Sequence, residues 1–411
     1  MGQKERVLDY IGNAGPLAVA LETELTKRPA VSPESGGTGE LDKAEFLEAW
    51  LRGKGITGLE RHDAPDPRAK GGVRPNLVAA IPGKADTKRL WIMSHLDVVP
   101  PGDASLWQSD PWTVIQRDGR LIGRGVEDNQ QGLTASVLAA LALTELGVTP
   151  PHPVNLLFVA DEEMGSEYGI VWLLKRRNLF RKDDIVLIPD SGDERGETIE
   201  IAEKNLLWLK FTVTGKQTHG ARPNQGVNAH LAGADLAVAL HYGLAEAFPD
   251  HDPLFEPPNY STFQPTKKEA NVPNINTIPG EDAFYMDMRI LPWYPLKTVL
   301  TEVDRIIARI ETKHRVTASY TVVQSMESKP TPRDAPLVQY LSEAVQEVYG
   351  VQTRPIGIGG GTVGAHLRNA NIYAAVWARL NDTAHQPNEY AVIEHILGDA
   401  KVMALLMLKE R

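Results

Sequence analysis

Two short segments place charged or metal-binding groups where apolar runs stop. Ser94-His95-Leu96-Asp97 closes the run that starts at Leu90, and Asp161-Glu162-Glu163 closes Leu156–Ala160. With Asp128, Asp190 and His385 they form a set of imidazoles and carboxylates without a thiolate, because the chain has no cysteine. That mix suits one or two divalent ions of hard to borderline character. In His95-Leu96-Asp97 the two polar side chains share one face of a strand. Asp97 is then either a second ligand or the group that holds the His95 imidazole from behind.

The acidic run is more telling. Three adjacent carboxylates after a buried strand repel one another, and a nearby cation relieves this and leaves one of them to serve as a base. Neighbouring side chains diverge, so Glu162 and Glu163 are expected to differ in role. Glu127 competes with Asp128 as a ligand, and Asp193 competes with Asp190. Two His and three carboxylates exceed what one catalytic zinc with an open position needs. They suit two ions sharing a carboxylate, about 3.5–4 Å apart.

Elements that position such groups follow from the hydrophobic pattern. A single amphipathic helix is expected over Gln3–Lys27 and another over Leu41–Lys54. Strand-like runs follow at Asn76–Ile81, Leu90–Met93, Leu156–Ala160 and Ile185–Ile188, and helices at Gln131–Leu146 and Tyr168–Arg177. This alternation predicts an α/β domain with a mostly parallel mixed sheet flanked by helices. Its strands would present the candidate ligands at their carboxyl ends, where open α/β sheets bind. The pattern then changes. Strands at Leu207–Val213, Asn274–Ile278, Ala283–Ile290 and Val316–Val323, with helices at Val227–Phe248 and Leu296–Lys313, follow the order β-α-β-β-α-β of a ferredoxin-like α+β unit. Residues 207–323 are therefore read as an inserted domain. Residues 1–206 and 324–411 form a discontinuous metal-binding domain, with strands near Ile356 and Ile372–Val376 and a last helix from about Glu389.

Composition narrows the function classes. The chain has 411 residues, enough for two or three domains. Disulfides, thiolate metal sites and a cysteine nucleophile are excluded, which fits a reducing, cytoplasmic setting. The first residues lack the pattern of a signal peptide. No apolar stretch approaches the ~18–20 residues of a membrane span, so no membrane association is expected. A formal charge of −10 without a dense Lys/Arg block argues against nucleic acid as a partner.

At this point the sequence resembles the M20 metallopeptidase family, which includes acetylornithine deacetylase, succinyl-diaminopimelate desuccinylase, aminoacylase, carboxypeptidase G and carnosinase-type dipeptidases. The motifs occur in order over nearly the whole chain: His95-Leu96-Asp97, Gly123–Asp128, Glu162-Glu163-Met164-Gly165-Ser166 and Ala384-His385. The resemblance implies two divalent ions, zinc first and cobalt or manganese as alternatives. His95 and Asp190 would hold one, Glu163 and His385 the other, and Asp128 would bridge. It implies Glu162 as general base toward a water shared by the metals and Asp97 as the support of His95.

The inserted domain resembles the family's lid or dimerisation domain. There His219 would reach the partner's active site and stabilise the oxyanion. Arg289 and Asn276 resemble groups that hold a substrate carboxylate, and Gly359-Gly360-Gly361-Thr362 resembles a glycine-rich loop near it. Alone, Arg289 reads equally as half of a surface ion pair, and His219 as a loop or cap residue. The implied activity is cleavage of an amide or peptide bond in a small carboxylate-bearing substrate, an N-acyl amino acid or a dipeptide, by a homodimer joined through the lid domains. The rivals are an N-carbamoyl or ureido amidohydrolase of the same fold and a non-catalytic dimeric binding protein.

Overall fold

The computed structural model describes residues 2–176 and 178–410. Met1, Arg177 and Arg411, which bound expected segments, lie outside them. The chain divides into two compact units. The first comprises residues up to Ile201, Thr331–Pro355 and the chain from His366, and the second Ala202–Pro330 with Ile356–Ala365. The segment 356–365, assigned above to the metal-binding domain, therefore groups with the second unit.

The first unit is built on an eight-stranded mixed sheet, of which Thr198–Glu203 and Arg354–Ile358 run past the unit's bounds at Ile201 and Pro355. Across it lie Gly58–Pro65, Val73–Ile81, Val154–Val159, Leu90–His95, Ile185–Asp193, Tyr373–Arg379, Thr198–Glu203 and Arg354–Ile358. The four central strands, from Val154–Val159 to Tyr373–Arg379, run parallel, and antiparallel strands flank them. Leu90–His95 and Val154–Val159 are buried throughout. This explains their near-continuous apolar sequences, since parallel strands are covered on both faces. The helix Gln130–Glu145 is buried at every residue from Gln130 to Leu143 and packs on the last helix, Ile393–Leu408. It is rich in Ala and Leu and lacks a charged residue before Glu145, so it can be covered on all sides.

Two local expectations differ from the structure. The stretch Gln3–Lys27 forms two helices, Gln3–Gly12 and Gly15–Thr26. Pro16 sits in the first turn of the second helix, where its missing N–H removes no helical bond. In the first helix register the same proline would break the ladder.

In the second unit the sheet order is Thr262–Lys268, Glu281–Ile290, Asn205–Thr214, Thr317–Met326, all antiparallel. With the helices Ala229–Ala247 and Leu296–His314 this is the expected β-α-β-β-α-β connectivity. The second strand, however, is Thr262–Lys268 and not Asn274–Ile278. The latter region contributes only Thr277–Ile278, paired with Thr218–His219. Pro265 and a mostly exposed pattern disguised Thr262–Lys268, but it is an edge strand whose register shifts after Pro265. Edges and bulges are where proline is tolerated in a sheet.

Candidate metal centre

The central parallel strands deliver their carboxyl ends to one place. His95 ends its strand, Asp161–Glu163 follows Val159, Asp190 lies near the end of Ile185–Asp193, and the chain after Arg379 leads to His385. Asp128 comes from another direction. It follows Arg120–Ile122, a strand of a separate three-stranded sheet, and precedes the buried helix Gln130–Glu145.

Asp128 is central. Its Oδ1 lies 2.9 Å from His95 Nε2 and its Oδ2 3.1 Å from His385 Nε2. His95 Nε2 also lies 3.4 Å from Asp190 Oδ1, and His385 Nε2 3.1 Å from Glu163 Oε2. Ligand atoms of His95, Glu162 and Asp190, and of His95, Asp128 and Glu163, each fall within 4.8 Å of one another. Five expected ligands and Glu162 are thus brought together in one unit. Nitrogen and oxygen donors converge here from strand ends and loops, so the arrangement fits divalent ions in chemistry and number.

Electrostatics agree with this. Burial opposes charging His95, yet the carboxylates of Asp190, Asp128 and Asp97 outweigh it and raise the imidazole well above its ordinary value. Hydrogen bonding to Asp128 and Glu163 raises His385 to about 10. Burial pulls Asp128 upward, but hydrogen bonds with His385 and His95 hold it well below the usual carboxylate range. Glu162 is raised well above its ordinary value by burial and by the charge of Asp190. Burial and the charge of Asp128 also raise Glu163. A field that favours cationic imidazoles favours a cation between them equally.

Asp97 supports the cluster from behind. His95 Nδ1 lies 2.9 Å from the Asp97 carbonyl oxygen, which can only accept, so the hydrogen is on Nδ1 and Nε2 faces the carboxylates. The Asp97 carboxylate accepts from the backbone N–H groups of Glu162 and Glu163, at 3.0 Å each.

The competing acids have other partners. Glu127 is buried and accepts from the backbone of Asn381 and Thr383. Asp193 caps its own turn through Arg195, Glu197 and Thr198. Asp161, held at φ 66°, accepts from Tyr168 N and lies 3.3 Å from the buried Arg74 guanidinium.

Three supporting residues escaped the sequence reading. Asn129 accepts from His95 N and donates to Asp190 Oδ1 and Pro189 O. Glu389, fully buried, accepts from the N–H groups of Gly125, Glu127 and Asp128 and pairs with Arg124. Arg74 pairs with Glu40 behind Asp161. For Asn129 and Glu389 the available signal was nearness in sequence to Asp128 and His385.

In the second unit, His219 Nδ1 accepts from Ala221 N, His219 pairs with Thr277, and Gly220 N donates at 2.7 Å to the carbonyl oxygen of Asn276, in the turn just before Thr277. Arg289 donates to both oxygens of Asp287, at 2.7 and 3.1 Å, and to Gly359 O at 3.1 Å. Thr362 Oγ1 donates to Glu203, and Gly361 is exposed beside it. Arg289 and the glycine-rich loop are therefore adjacent, with the Arg289 fork engaged by Asp287.

A mixed α/β sheet with imidazoles and carboxylates gathered at its carboxyl strand ends suits divalent ions, and the family and relatives of this chain make it a metal-dependent hydrolase. The model of peptidase family M20/M25/M40 matches residues 91–409, and the chain belongs to that family. It is 38% identical over 404 residues to an uncharacterized metallohydrolase of Methanocaldococcus jannaschii, covering 94% of this chain and 97% of that one. It is 30% identical to succinyl-diaminopimelate desuccinylase of Thiobacillus denitrificans, over 92% and 91% of the two chains. The fold matches a Bacillus subtilis dinuclear metal-binding peptidase of the M20 family, with a TM-score of 0.68 at 15% identity over 96% of this chain and 97% of that one. No helix among the described residues is long and apolar enough to cross a membrane.

Proposed function

We propose that this protein hydrolyses an amide or peptide bond in a small substrate that carries a free carboxylate, an N-acyl amino acid or a dipeptide, with two divalent ions. The observation that carries this reading is Asp128, whose two oxygens face the Nε2 atoms of two different histidines, at 2.9 and 3.1 Å. His95 and Asp190 are assigned to one ion, Glu163 and His385 to the other, and Asp128 to both. Zinc is the leading metal, and cobalt and manganese suit the same ligands. The desuccinylase relative and the dinuclear peptidase support the reaction class and the metal count.

Bound at such a site, divalent ions polarise a carbonyl and acidify water. The protein's own part is positioning and proton transfer. Asp97 keeps the hydrogen of His95 on Nδ1, so Nε2 presents a lone pair. The Glu162 carboxylate, with its raised proton affinity, takes a proton from water and returns it to the leaving amine. No residue forms a covalent intermediate. The second unit is assigned to dimerisation and lid function. There His219 is assigned to the oxyanion, and Asn276, Arg289, Gly361 and Thr362 to the substrate carboxylate. A cytoplasmic location accords with the cysteine-free sequence.

The test is a panel of N-acetyl and N-succinyl amino acids, ureido acids and dipeptides, assayed with zinc-loaded and chelated protein. Hydrolysis of an acyl or dipeptide member is expected, with loss on chelation and a fall of about 10²–10⁴-fold in Glu162→Gln. Turnover of ureido acids alone would select the carbamoyl reading. No turnover with any member, or full activity of Glu162→Gln, overturns the proposal.

A further inference from the structure

Glu127, Asp128 and Asn129 are consecutive, and their side chains serve different parts of the centre. Glu127 and Asn129 are each only 1% exposed. The Glu127 carboxylate accepts from Asn381 N and Thr383 N at 2.5 Å each and from Thr383 Oγ1 at 2.6 Å. All these donors belong to the loop that carries His385. Asn129 Oδ1 accepts from His95 N at 3.2 Å, and its Nδ2 donates to Asp190 Oδ1 at 2.7 Å and to Pro189 O at 2.6 Å. These partners belong to the other half of the centre.

The two halves differ in how much else holds them. His95 is buried in a central strand. The His385 side chain is 55% exposed, its backbone is left-handed at φ 62°, and Gln386 and Pro387 are exposed. Little packing fixes that loop locally. Glu127 anchors it before His385; after His385, the Asn388 side chain accepts from Gln108 N and donates to Leu106 O, and Glu389 takes the amides of Gly125, Glu127 and Asp128. A buried carboxylate needs its donors, because an unpaired buried charge is strongly unfavourable. Glu127 therefore ties the position of His385 to that of Asp128.

We propose that Glu127 and Asn129 are positioning residues for different metals: Glu127 governs binding of the ion held by Glu163 and His385, and Asn129 that of the ion held by His95 and Asp190. This rests on the reading that two ions share Asp128. Groups that orient metal ligands commonly change affinity by about 10–100-fold when removed.

The experiment titrates metal-stripped protein with Zn²⁺ by calorimetry, without substrate. His385→Ala and His95→Ala, each lacking one ligand, identify the two binding steps. Glu127→Gln is expected to weaken by about 10–100-fold the step that His385→Ala removes, and to leave the other unchanged. Asn129→Ala is expected to weaken the step that His95→Ala removes. Thr383→Val, which deletes one donor to Glu127 from the far side, should shift the same step as Glu127→Gln by less, and it serves if Glu127→Gln does not fold. Weakening of one common step by both variants, equal weakening of both steps, or no effect overturns the inference. A wild-type protein that takes up one ion per chain overturns it together with the two-ion reading. Two wild-type steps that the variants fail to separate overturn this inference alone.

Discussion

Asp97 accepts the backbone N–H of Glu163 at 3.0 Å while its carbonyl oxygen lies 2.9 Å from the His95 ring. One residue thus ties a strand-end histidine to the acidic turn of the neighbouring strand. The bonds from Glu162 and Glu163 help hold the buried Asp97 below the usual carboxylate range; burial opposes this, and His95 contributes most to overcoming it.

Replacing Asp97 with Asn keeps the volume but turns one acceptor into a donor facing an N–H group. Asp97→Asn is therefore expected to lower zinc affinity by about 10–100-fold. Calorimetric titration of stripped protein measures this, and wild-type affinity would remove Asp97 from the support of the centre.

Gly132 lets the helix Gln130–Glu145 approach the strand that bears Asp190. A Cβ there would lie 2.2 Å from Pro189 O, a backbone atom that a rotamer change cannot move. Gly132→Ala should gain helix propensity but lose more to overpacking, a net destabilisation of about 1–3 kcal/mol. Urea unfolding checks the sign, and a stabilised variant would show that the strand yields freely.

Arg74 is completely buried, donates to Glu40 and lies 3.3 Å from Asp161. Arg74→Met leaves these carboxylates without their cation, and removal of one partner from a buried pair typically destabilises by about 3–5 kcal/mol. Chemical denaturation should show a loss of that order. A loss no greater than an exposed ion pair's would mean that water enters the cluster.

Burial, reinforced by the charge of Arg379, lowers His395 to about 4. The unfolded chain takes up this proton near pH 6.5 and the folded chain only near pH 4, so the unfolded state binds more protons in between. The contribution of His395 to stability should therefore fall as pH drops from 6.5 to 4, by on the order of 3 kcal/mol. Asp399, raised to about 7 chiefly by burial, acts in the opposite sense over the whole of this range, and Glu40 and Glu389, each likewise raised to about 7 by burial, act with it. The difference between wild type and His395→Gln isolates the histidine: as pH drops from 6.5 to 4 the wild type should lose stability relative to the variant. Parallel pH profiles of the two proteins would contradict this.

Much of the metal centre was legible because its ligands interrupt apolar runs. Leu90–His95 and Val154–Val159 are buried on both faces, so a histidine or an acidic run at their ends stands out. His385 was different. It lies in an exposed loop several residues beyond the end of its strand Tyr373–Arg379, and only motif resemblance singled it out. The edge strand Thr262–Lys268 was missed because an exposed edge carries little alternation and tolerates Pro265.

By itself the sequence determined the chemistry and the layered fold: nitrogen and oxygen ligands without sulfur, and buried strands ending in charge. It did not distinguish Glu127 from Asp128. Both are carboxylates, adjacent in one loop before one helix. Only the tertiary structure turned Glu127 toward Thr383, 256 residues away, and Asp128 toward two histidines. The physical reason is that a buried carboxylate goes where its hydrogen-bond donors are, and here those donors come from distant segments that meet only when the sheet has formed.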